Sequence, residues 1–156
     1  MTTFKKAWGS FLLGLLAATF PFQAAIAGEV KMINAGPDNV AIKGYDTVAY
    51  FTQGRPVKGK AEFAHSWNGA QWHFASAAHR DMFAADPERY APQFGGFCSM
   101  ALARSKIAGA DPQAWVIVDE KLYLNFSKPV LKTFTENTHE NIKKAELNWE
   151  RLRKSK

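Results

Sequence analysis

Apolar and polar positions alternate most cleanly in EFAHSWNGAQWHFAS, residues 62–76. A period of two puts Phe63, His65 and Trp67 on one face, and pairing across a turn adds Ala70, Trp72 and Phe74 to it. Asn68-Gly69 is the favoured two-residue turn, so the stretch predicts a hairpin of 63–67 with 70–74. WVIV and KLYLNF, joined at Asp119-Glu120, predict a second hairpin whose turn lacks glycine. NVAIKGYDTVAYFT, residues 39–52, is rich in β-branched and aromatic residues and reads as two short extended pieces around a turn at Gly44-Tyr45-Asp46.

The period changes between the hairpins. Ser76 is a natural cap for a helix over 77–85, which places His79, Met82 and Phe83 on one face. Asp86-Pro87 restarts a short helix, and Pro92 ends it. Gly95-Gly96 then turns the chain into CSMALARS, expected to be helical with Cys98 in its first turn. Asp111-Pro112 is expected to open a further helical turn. Beyond Ser127 and Pro129 the pattern is helical, and Ile142, Ala145, Trp149 and Leu152 form an apolar stripe that would pack on the domain. The sum is an α+β fold: a small single domain with two β-hairpins, short interleaved helices and a longer C-terminal helix.

The N-terminus changes the picture of where the domain starts. Lys5 and Lys6, the apolar run Trp8–Phe22 and the small-x-small triplet Ala25-Ile26-Ala27 have the form of a cleavable secretory signal over 1–27. The run is short of the about 20 apolar residues a membrane span needs. Residues 28–156 are then one exported domain, expected in the periplasm, with no stable membrane span after cleavage. The formal net charge of the chain is +6, and much of it gathers in the C-terminal helix. A solvated helix face accounts for that excess, and export argues against nucleic acid as a partner.

Cys98 is the one cysteine, so no internal disulfide can form. A lone thiol in an exported chain is a buried apolar residue, a redox or intermolecular thiol, or a metal ligand. No serine, histidine and aspartate order, paired carboxylates or phosphate loop stands out, and no enzymatic activity is read from the chain.

IKGYDTVAYF, the WNGAQWHFAS hairpin, HRDMFAADPERYAPQFGGFCSMALA and DPQAWVIV…KLYLNF together resemble the YHS-domain family, in particular its exported bacterial branch, over 42–134. The resemblance implies a small α+β domain related to treble-clef, metal-binding modules, with no established catalysis. It also implies cysteine ligands at three positions that here hold Ala49, Ala75 and His79. A structural zinc site of thiolates cannot be built from those residues. A mixed site of Cys98 and His79 can be expected instead, with His65 as a third ligand, suited to a copper or zinc ion. Two other readings stand beside it: a redox-active thiol at Cys98, and a non-catalytic scaffold that binds another periplasmic protein.

Overall fold

A computed structural model describes residues 32–154; the expected signal segment lies outside the described residues. Six helices and four strands follow one another along them: α1 (Thr47–Thr52), β1 (Lys60–Trp67), β2 (Ala70–Phe74), α2 (Ala77–Ala85), α3 (Pro87–Tyr90), α4 (Ser99–Ala103), β3 (Asp111–Val118), β4 (Lys121–Asn125), α5 (Lys128–Glu136) and α6 (Thr138–Lys154). The strands make two separate antiparallel hairpins, β1–β2 and β3–β4. The fold is α+β, as the pattern predicts.

The first hairpin turns at Asn68 and Gly69, both left-handed with φ of 49° and 77°. That is the conformation for which an Asn-Gly pair is preferred. His65 stands opposite Trp72 and Trp67 opposite Ala70, as predicted near the turn, but the register shifts between Lys60 and Ala64, so Phe74 stands opposite Lys60 rather than Phe63. Ala70, Trp72 and Phe74 are buried, and Trp72 and Phe74 stack or tilt against Phe83 of α2 at 5.2 and 4.9 Å.

The second hairpin divides the interior in two. Leu122 and Leu124 of β4 face one apolar cluster, with Tyr50, Trp72, Phe74 and Phe83. Tyr123, between them, faces the other, with Phe94, Leu102, Phe134 and Ile142. The same alternation runs along β3, where Trp115 and Ile117 join the first cluster and Val116 and Val118 the second. A strand buried on both faces reads as a continuous apolar run, which is why LYL shows no alternation. The predicted stripe on α6 seals the second cluster through Ile142, Ala145, Trp149 and Leu152.

Two expectations fail locally. Residues 47–52 form helix α1 rather than an extended piece. The Asp46 carboxylate caps the first turn, accepting from the Val48 and Ala49 amides, and Val48 and Tyr50 are buried by the helix. Capping and burial outweigh the strand preference of the β-branched residues. Tyr50 also donates its hydroxyl to the Pro112 carbonyl at 2.9 Å, and burial pushes its ionisation well above the ordinary tyrosine range. The second failure is Asp111-Pro112, which begins strand β3 instead of a helical turn. Proline is tolerated at a strand start, and the Tyr50 contact fixes it there.

Asp119 and Glu120 both adopt positive φ, 49° and 59°. Without glycine each such residue is strained by about 1 kcal/mol or more. Glu120→Gly is therefore expected to stabilise the domain by about 1 kcal/mol in denaturant unfolding, less what glycine adds to unfolded-chain entropy.

Candidate functional site

The densest polar cluster forms where α1, the end of β2 and the start of α2 meet. Asp46 is fully buried, with 0 % relative exposure. Its Oδ1 accepts from the backbone amides of Val48 and Ala49 at 2.9 and 3.2 Å. Its Oδ2 accepts from the Ala75 amide at 2.9 Å and sits 2.6 Å from Nδ1 of His79. Four N–H groups thus converge on one carboxylate. Burying a carboxylate costs several kcal/mol unless its lone pairs are met in this way. His79 is brought there by the cap of α2, in which Ser76 Oγ accepts from the His79 amide at 3.2 Å.

The far side of the imidazole faces outward. The His79 side chain retains 14 % exposure, and its Nε2 lies 3.3 Å from Oγ1 of Thr52, an exposed residue at the end of α1. Thr52 itself donates to the Val48 carbonyl at 3.1 Å. With the Nδ1 proton directed at Asp46, Nε2 is an acceptor, and the Thr52 hydroxyl has two acceptors within reach, Nε2 and the Val48 carbonyl.

Cys98 lies elsewhere. It is buried, 1 % exposed, in the second apolar cluster. As cap of α4 its sulfur accepts from the Ala101 amide at 3.4 Å, and it also accepts from the Phe126 amide at 3.2 Å. The Asn125 amide oxygen is 4.0 Å away and accepts from the Met100 amide at 3.1 Å. The sulfur is a polar staple between α4 and the end of β4. His65 packs its ring on Phe83 at 6.1 Å, within the first cluster's aromatic face.

The three expected ligands, Cys98, His79 and His65, therefore have three different sets of neighbours, and the structure does not bring them together. Among the described residues no group of three or more His, Cys, Asp and Glu side chains is arranged to hold a metal ion. The reason is topological: the β3–β4 wall separates the cluster around Cys98 from the one beside α2. What the sequence reading missed is Asp46, taken for a turn residue, and Thr52. The signal was present, since an aspartate immediately before TVAY is a helix cap.

Replacing the carboxylate tests how much this cluster carries. Asp46→Asn removes the charge and turns one acceptor into a donor facing the Ala75 amide or His79, so a loss of about 3 kcal/mol is expected in urea unfolding. A loss under about 1 kcal/mol would show that water replaces these bonds readily.

No curated protein matches the chain, and no solved structure matches it. The family model of the YHS domain matches residues 48–94, a span that runs from α1 through both strands of the first hairpin, α2 and α3, and includes His65 and His79. Cys98 and Asp46 fall just outside it. Over residues 48–94 the chain is similar to the YHS domain.

Proposed function

We propose that this is an exported YHS-domain module that takes up a copper or zinc ion transiently, through the imidazole of His79 rather than through a thiolate cage. One observation carries the reading: Nε2 of His79 is left outward, opposite Thr52 Oγ1, while Nδ1 is held by a buried carboxylate. A carboxylate behind a histidine fixes the tautomer and raises the basicity of the nitrogen that binds the ion. The 3.3 Å between Nε2 and Oγ1 suits two donors sharing an ion with bonds of about 2.0–2.2 Å. Such a site supplies one strong ligand and one weak one, so the remaining positions fall to water or a partner protein. Weak, open coordination suits transfer and does not suit a structural ion.

Among the described residues no helix is long and apolar enough to cross a membrane. That agrees with a module free of a membrane span in this part of the chain.

Titrating the folded protein with Zn(II) and Cu(II) by calorimetry is expected to give one equivalent of binding. His79→Gln, which keeps a donor for Asp46, is expected to abolish it, and Cys98→Ser is expected to leave it unchanged. Undiminished binding by His79→Gln would overturn the reading, and loss on Cys98→Ser would restore the cysteine as a ligand.

The redox-thiol reading keeps one observation in its favour. Around the sulfur, Ser99 Oγ and Asn125 Nδ2 are buried without hydrogen-bond partners, a polar lining in an apolar cluster. Access opposes it, because the thiol is 1 % exposed. Alkylation of Cys98 by iodoacetamide is expected to proceed only through opening of the fold, at least about tenfold more slowly than in urea-unfolded chain. Equal rates in both states would favour the redox role.

A further inference from the structure

Among the described residues four large apolar side chains are exposed, and three of them border one surface loop. The loop, 104–107, leaves the end of α4 and carries Ile107, 39 % exposed. The Cys98 amide donates to the Ala108 carbonyl at 2.9 Å, and the Cys98 sulfur accepts from the Phe126 amide at 3.2 Å. Those two bonds set Phe126, 61 % exposed, beside the end of the loop. Asn148 Nδ2 donates to the Leu102 and Ala103 carbonyls at 2.8 and 3.4 Å, which sets its neighbour Leu147, 62 % exposed, beside the start. Apolar side chains left in water forgo burial, and where they gather they mark an interaction surface.

The polar residues around them carry one sign. Arg104 and Lys106 lie in the loop, and Lys128 follows Phe126 by two residues. Lys143 and Arg151, four residues to either side of Leu147, share its face of α6, opposite the buried stripe. All five are exposed, and none makes an ion pair among the described residues. On the same helix face Glu140 is taken up by Lys144 at 2.6 Å and Glu150 by Arg153 at 2.9 Å, so the charge left over is positive. Lys128 is the first residue of α5, where the helix dipole disfavours a cation. Local stability does not account for a lysine there.

The surface therefore fits a partner that is negative and can admit isolated apolar tips. Lysine is depleted at protein–protein interfaces, because its charge is costly to strip of water. At a bilayer surface the long cationic side chains keep their heads at the phosphates while apolar neighbours enter the headgroup layer. From the three exposed apolar side chains and the five unpaired cations around one loop, we infer that this face rests on an anionic lipid surface. Phe126, Ile107 and Leu147 enter it, and Arg104, Lys106, Lys128, Lys143 and Arg151 meet its phosphates. The face is separate from His79 and does not depend on the metal reading.

The test is co-sedimentation of the folded protein with two kinds of vesicle, phosphatidylcholine alone and phosphatidylcholine with about one-third phosphatidylglycerol. Binding to the anionic vesicles is expected to be at least about tenfold tighter, and to weaken as salt rises. Phe126→Gln with Leu147→Gln, two exposed positions at which the unfolding midpoint is expected to stay unchanged, should weaken it about tenfold. Lys106→Gln with Arg151→Gln should do the same, whereas Lys43→Gln with Arg55→Gln, which removes equal charge beside the first hairpin, should leave it within about twofold. Equal binding to both vesicles, equal losses from the two charge pairs, or full binding without Phe126 and Leu147 would each overturn the proposal. So would self-association in sedimentation velocity that the Phe126→Gln, Leu147→Gln variant abolishes, since the patch would then join copies of the chain.

Discussion

A carboxylate with no access to water has to be held on every lone pair, and Asp46 is. Its four partners come from three places in the chain: the first turn of α1, the residue after β2 and the first turn of α2. None of these segments can shift without exposing an amide or an uncompensated charge, each worth more than a surface contact. The order imposed is directional. Apolar packing of Val48, Phe74 and Phe83 would bring the same elements together, but it leaves their register free to slide. The carboxylate removes that freedom, and with it fixes the azimuth of the His79 ring.

The second determinant is the double-faced hairpin β3–β4. Because Leu122 and Leu124 look one way and Tyr123 the other, a single strand serves two cores. Burial pushes the Tyr123 ionisation up to about 12, with further upward contributions from Glu146 and Asp119, so the phenol stays neutral inside its cluster under ordinary conditions. This wall explains two features at once. It keeps Cys98 in a compartment different from that of His79. It also leaves a seam where the clusters abut, with Trp67 from one side and Phe94 and Trp149 from the other.

Much of this is legible in the residues. Asn68-Gly69, Ser76, Asp86-Pro87 and the 142–152 stripe specify turn, caps and packing face by local chemistry alone, and each element lies where that chemistry puts it. Residues 39–52 and 111–112 were illegible because there the deciding contact is distant. Tyr50 meets Pro112 across 62 residues of chain, and Asp46 meets Ala75 across 29. The site fell short for the same reason. Ligand chemistry can be read residue by residue, but which ligands share a compartment depends on a wall whose two-faced burial the continuous LYL run does not reveal.

The resemblance to the YHS family points to cysteines where this chain has Ala49, Ala75 and His79. In the fold, these three positions supply three of the four N–H groups on Asp46. The segments a metal would be expected to clamp are here clamped by a carboxylate. That changes what the remaining imidazole can do. A histidine enclosed by thiolates would be one wall of a closed structural site, whereas His79 turns Nδ1 inward as part of the clamp and Nε2 outward toward Thr52. Nδ1 thereby serves stability, and the ion exchange we propose falls to the other nitrogen of the same ring. An ion bound at the outer nitrogen can leave without unfolding the domain, since the clamp that holds α1, β2 and α2 never passes through it.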